Sequence, residues 1–148
     1  MIRAIDVTHS HDAPVGVVTL NYDDRFRRRI VMTCDNGFKF LLNLPKVIDL
    51  HDGDDLLLED GRHIRVRAAS EKLMKATSSN PQHFVRIAWH VGNRHLPCEV
   101  HADYLLLRYD HVIVGMLEKL GAKVDKQEGP FNPEGGAYGL GRTHSHAH

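Results

Sequence analysis

The side chains best suited to chemistry in this sequence are imidazoles. His95 stands in Trp89-His90-Val91-Gly92-Asn93-Arg94-His95-Leu96-Pro97, where a hydrophobic run stops at a glycine and then presents a histidine. His111 follows Asp110 at the expected start of a helix, and His144, His146 and His148 alternate with Ser145 and Ala147 at the C-terminal end. In an extended segment alternate side chains point the same way, so any two of those three could chelate one ion. Neutral imidazole is abundant near pH 7 and binds borderline ions such as nickel, copper and zinc. With 12 histidines among 148 residues, the composition itself leans toward metal handling. Other chemistries have less to stand on. Cys34 and Cys98 form no CxxC pair, so buried thiols are expected. Nineteen basic and 19 acidic residues give a net charge of zero, which offers neither nucleic acid nor an anionic membrane a reason to bind. A zinc hydrolase built on His90, His95 and His111 would need a general-base carboxylate at fixed spacing, and no HExxH motif supplies one. No catalytic residue is assigned.

The elements that must position these histidines divide the chain in two. From Met1 to about Ala69, short β-rich runs (Gly16–Leu20, Phe26–Thr33, Phe38–Leu42, Asp55–Leu58 and His63–Val66) alternate with turn signals, and Asp60-Gly61 suits a two-residue hairpin turn. Pro45 to Leu50 reads as a connection, since proline cannot donate to a ladder. Arg25 to Arg29 reads as a solvated sheet face, with a protein-binding surface as the minority reading. Residues 70–80 lose the β pattern and mark a boundary. The second half reads as a strand from Phe84 to Val91, a helical turn near Asn93 to Pro97, strands near Cys98 to His101 and Tyr104 to Tyr109, a helix, and a strand from Ala122. That helix has Asp110 as its N-cap, an apolar face of Val112, Ile113, Met116, Leu117 and Leu120, and Gly121 at its C-cap, with His111 opposite the apolar face. The expected fold class is α+β: a small all-β domain over residues 1–75, a ferredoxin-like βαββαβ domain over 76–130, and a flexible Gly/Pro/His tail over 131–148. Histidines 9, 11, 51, 63, 83, 90 and 101 read as surface or turn residues, the pair in His9-Ser10-His11 being the first to check. The N-terminus lacks a signal-peptide pattern and no apolar stretch reaches the ~18 residues of a membrane span, so a soluble, cytoplasmic protein is expected.

Gly92-Asn93-Arg94-His95-Leu96-Pro97, Asp110-His111-Val112-Ile113, Phe131-Asn132-Pro133-Glu134-Gly135-Gly136-Ala137-Tyr138-Gly139 and the histidine tail together resemble the UreE family of urease accessory proteins, which are nickel metallochaperones. The resemblance covers nearly the whole chain and is most specific from about Phe84 onward. It implies a first domain that binds peptides and a protein that is no enzyme. It also implies a homodimer with His95 as the primary nickel ligand at the interface, His111 as a second-site ligand, and His144, His146 and His148 as a variable metal-binding segment. Ni(II) is then cargo, with Zn(II) and Cu(II) suited to the same ligands. The implied partners are the urease accessory GTPase and the apo-urease accessory complex. Tyr109 stands where some members carry a further histidine. A carrier must release its ion by ligand exchange, which favours few, exposed ligands on shared or mobile elements. A twofold axis meets that need by turning one histidine per chain into two ligands.

Overall fold

Apolar residues at every second position build the first unit. In the computed structural model, which describes residues 1–136 and Arg142, Phe40, Leu42 and Leu44 are buried along one face of a strand, as are Leu56 with Leu58 and Ile64 with Val66. The strands of this unit are β1 (Arg3–Thr8), β2 (Gly16–Leu20), β3 (Phe26–Thr33), β4 (Lys39–Asp49), β5 (Asp55–Leu58) and β6 (His63–Ala68). They form one six-stranded sheet in the order β2-β6-β5-β1-β4-β3, and the unit extends from Met1 to Ala69.

Three local expectations change here. The β5–β6 turn has three residues rather than two: Leu58 N–H donates to the Arg62 carbonyl at 2.8 Å and Gly61 N–H to the Leu58 carbonyl at 3.0 Å. Gly61, at φ 91°, takes the left-handed position that a hairpin of this length requires. Pro45 lies inside β4 rather than in a connection. The β3–β4 ladder breaks between the pairs Arg29↔Asn43 and Arg27↔Ile48, so the missing N–H falls where no rung is needed. His63 is buried rather than exposed, its Nε2 3.1 Å from the Asp12 carbonyl and 3.7 Å from Asp55 Oδ1.

The second unit, Ser70–His148, runs β7 (Ser70–Thr77), α1 (Pro81–Asn93), β8 (Glu99–Val100), β9 (Leu105–Arg108), α2 (His111–Lys119) and β10 (Lys123–Pro130). Its antiparallel sheet has the order β10-β7-β9-β8, so the expected ferredoxin-like βαββαβ chain order is present. Met74, Ala76, Leu105 and Leu107 from the sheet pack against Ile87 and Val91 of α1 and Leu117 of α2.

Two elements differ from the sequence reading. Ser70–Thr77 is a central strand, paired with β10 from Ser70↔Pro130 to Thr77↔Lys123 and with β9 on its other edge. Phe84–Val91 is helical, not extended. Asn80 caps the helix through Oδ1, which accepts the Gln82 and His83 N–H groups at 2.9 and 3.2 Å, and Pro81 occupies the first turn. Phe84, Ile87, Ala88 and Val91 then recur at helical spacing on the core side. No described helix is long and apolar enough to cross a membrane.

The Gly/Pro-rich stretch is more ordered at its start than expected. Gly129 and Pro130 end β10, and Phe131 is fully buried. Asn132 N–H donates to Glu99 Oε2 at 3.2 Å and Glu134 N–H to the Cys98 carbonyl at 2.9 Å. Phe131→Ala is expected to cost about 3–5 kcal/mol in urea unfolding of the full chain, the usual penalty for emptying a buried phenyl site. A cost below about 1 kcal/mol would mean that Phe131 anchors nothing.

Candidate functional site

His95 is placed by the way α1 ends. The His95 N–H donates to the Gly92 carbonyl at 3.0 Å and the Leu96 N–H to the Val91 carbonyl at 3.3 Å, the paired bonds of a Schellman motif. That motif needs a left-handed residue after the cap, and His95 fills it at φ 57°, the one non-glycine residue with positive φ among those described. The equivalent position after α2 is Gly121, at φ 91°, with Gly121 N–H to Glu118 O and Ala122 N–H to Leu117 O, both 3.0 Å. The same loop is thus closed once by glycine and once by histidine. A β-carbon in that conformation costs on the order of 1 kcal/mol, and such outliers concentrate at functional positions. His95 is exposed, and Leu96 folds back against the core that Val91 belongs to, which fixes the direction from which the histidine leaves the chain.

The helix that ends at His95 carries an apolar stripe facing away from its own core. Val85 and Trp89, one turn apart, are 67% and 63% exposed, and Val112 at the start of α2 is 66% exposed. Val112 was expected on the core face of α2, where Val114 stands instead beside Ile113, Met116 and Leu117. Sequence reasoning missed Val85 and Trp89 as surface residues. Once Asn80-Pro81 is read as a helix start, both fall off the buried stripe of Phe84, Ile87, Ala88 and Val91.

His111 is the first residue of α2 and is exposed; Asp110 Oδ1 caps the helix by accepting the Val112 and Ile113 N–H groups at 2.8 and 3.3 Å. A cavity of about 310 Å³ is lined by Leu96 and Pro97, which follow His95, and by Tyr109, Asp110 and Ile113, which flank His111. Chain neighbours of both histidines thus line one cleft, while His95 and His111 themselves are not among its lining residues. His90, half-buried, lines a separate groove with Arg94, Val112, Ile113 and Met116. Among the described residues, no three His, Cys, Asp or Glu side chains form a closed metal group, so His90, His95 and His111 are not assembled as a zinc enzyme would have them. His144, His146 and His148 lie outside the described residues.

Cys98, three residues after His95, is held as a thiol. Burial first, then the nearby Glu134 and Glu99 carboxylates, push its pKa from 9.0 up to about 12. Metal coordination by cysteine uses the thiolate, so Cys98 is a poor ligand near neutral pH. The raised value favours the protonated folded form, so its contribution to stability is complete below about pH 9 and lost as pH rises toward 12. Iodoacetamide at pH 8 is expected to label Cys98 far more slowly in the folded protein than in urea, and equal rates would refute the burial effect.

A mainly β unit followed by a ferredoxin-like unit with a histidine in the left-handed position at a helix end defines the class: a two-domain α+β protein. Residues 1–69 match the family described as UreE urease accessory protein, N-terminal domain, and residues 71–148 its C-terminal domain. Three proteins named urease accessory protein UreE are similar along almost all of the chain. That of Chelativorans sp. (strain BNC1) is 50% identical over 146 residues, 99% of this chain and 90% of its own length. That of Bradyrhizobium sp. (strain ORS 278) is 50% identical over 151 residues, 100% of this chain and 70% of its own. That of Ruegeria sp. (strain TM1040) is 53% identical over 138 residues, 92% of this chain and 76% of its own. The chain belongs to the UreE family of urease accessory proteins. These are names of accessory proteins and not of enzymes, in keeping with the sequence reading.

Proposed function

We propose that this protein is a nickel carrier for urease maturation, acting as a homodimer in the cytoplasm and handing Ni(II) on to the urease accessory GTPase and apo-urease. The observation that carries the reading is His95: an exposed imidazole in the left-handed position that ends α1. One imidazole per chain cannot hold an ion tightly. The apolar stripe of Val85 and Trp89 on the same helix is suited to burial against a second copy, and a twofold axis near it brings two His95 rings to one ion. His111, exposed at the start of α2, is a secondary ligand.

The tail supplies the remainder. From Gly136 to His144 the chain can span at most about 29 Å, and within that reach His144, His146 and His148 would join the paired His95 rings of its own or the partner protomer. A tether of that length holds the tail imidazoles at roughly millimolar effective concentration, so capture and release proceed by stepwise ligand exchange. Zn(II) and Cu(II) compete for the same nitrogens, and the protein performs no catalysis.

Imidazole must be neutral to coordinate, so nickel affinity is expected to fall by at least about tenfold between pH 7.5 and pH 5.5, across the ordinary histidine pKa near 6.5. Calorimetric titration of nickel into the full chain at the two pH values reads this directly, with one tight ion per dimer at the higher pH. Equal affinity at both values excludes imidazole coordination.

A further inference from the structure

The chain that follows β10 is carried across the second sheet before it becomes the tail. Directly opposed residues of antiparallel strands point to one side, so Leu73, Leu106 and Glu99 lie on the face away from Met74, Ala76, Leu105 and Leu107, which pack on the helices. Leu73 and Leu106 are buried, and so is Phe131. Pro130 ends β10 opposite Ser70, at one edge of the sheet. Two residues on, the Asn132 N–H donates to Glu99 Oε2 at 3.2 Å, and the Glu134 N–H then donates to the Cys98 carbonyl at 2.9 Å, beside β8 at the other edge. Residues 131–134 are therefore a strap from edge to edge.

Glu99 is placed to hold that strap. Its side chain is 20% exposed, and both oxygens are engaged: Oε2 accepts the Asn132 N–H, and Oε1 lies 3.0 Å from His101 Nε2. His101 is fixed in turn by its own backbone N–H, which donates to the Tyr104 carbonyl at 3.0 Å, and by its ring, which stacks on that of Tyr104 at 4.1 Å. The strap ends where α1 ends. Glu134 lines a cavity of about 160 Å³ with Gly92, Leu96 and Cys98; the Gly92 carbonyl accepts the His95 N–H, and Leu96 follows His95 in the chain. We propose that Glu99 is a positioning residue, holding the Asn132 N–H so that the chain enters the tail beside the loop that carries His95. The consequence for nickel rests on the carrier reading, whereas the clamp does not. A tail rooted at Gly136 reaches His144 through eight residues, and one released back to Pro130 needs fourteen. Effective concentration falls roughly as the −3/2 power of tether length, so release lowers it about twofold.

The test pairs amide hydrogen exchange with nickel titration of the full chain. In the wild type the Asn132 and Glu134 amides are expected to be protected. Glu99→Ala is expected to speed exchange at both by at least about tenfold, while Ala76 and Val91, in the core of the same unit, keep their rates; Glu99→Gln, which retains an acceptor oxygen, is expected to stay close to wild type. Glu99→Ala is also expected to weaken nickel binding about twofold, and to change nothing once His144→Ala, His146→Ala and His148→Ala are present. Unchanged exchange at Asn132 and Glu134 in Glu99→Ala overturns the clamp, and an equal nickel loss with and without the tail histidines overturns its role in aiming the tail. A wild type that binds no nickel defeats the carrier reading alone, and the exchange rates still decide the clamp.

Discussion

Replacing His95 by glycine is expected to abolish tight nickel binding and at the same time to raise stability by about 1 kcal/mol. On the proposed carrier reading, the first effect follows from removing the one imidazole that each protomer would bring to a shared ion. The second follows from φ 57°, where a β-carbon is strained and glycine is not; the gain is reduced by the greater freedom of glycine in the unfolded chain. His95→Ala separates the two effects, since it discards the ring and keeps the strained β-carbon. Nickel calorimetry beside urea unfolding of wild type, His95→Gly and His95→Ala measures both quantities. A glycine variant that is less stable than wild type, or that still binds one ion per dimer tightly, defeats the account of His95 as a residue held in place at a cost for its ring.

Trp89→Glu is expected to turn the dimer into a monomer and to remove the tight nickel site although His95 is untouched. Trp89 is 63% exposed, so covering it newly buries about two thirds of the roughly 150–250 Å² of an indole, worth on the order of 2–4 kcal/mol per protomer at about 25 cal/mol per Å², and the carboxylate adds a desolvation penalty in place of that gain. Loss of about half of this over two protomers weakens association about a hundredfold. The protomer itself has little to lose, because Trp89 is 63% exposed and lies outside the core of its own unit. Sedimentation equilibrium gives the mass and calorimetry gives the ion count. A variant that remains dimeric would move the interface away from α1, and a monomer that keeps the tight site would remove the need for paired His95 rings.

How much of this could be read from residue types varies element by element. The α2 helix was legible because both ends carry strong local signals, Asp110 at the start and Gly121 at the stop, around an apolar stripe. The α1 helix has an equally good start in Asn80-Pro81, but its stop is a histidine where glycine is usual, and Val85 and Trp89 on the outer face blur the stripe into a β-like run. The residues that hid the helix are those argued to work at its surface, as expected where function overrides local preference. Strand β7 was missed because Lys72 and Lys75 interrupt its short apolar run, and only the partners β9 and β10 on either side make Leu73 to Ala76 a central segment. His95 was identifiable by type and by its neighbours, whereas its left-handed backbone and the cleft between Leu96-Pro97 and Tyr109-Asp110 depend on contacts that no local pattern encodes.

The Schellman loop also bears on timing. Its two backbone hydrogen bonds exist whether or not an ion is near, so the Cα–Cβ direction at residue 95 is set in advance. On the carrier reading proposed above, loading and unloading would exchange the neighbours of the His95 side chain and leave no loop to refold, so the donor would be ready for the next ion as soon as the last one departs.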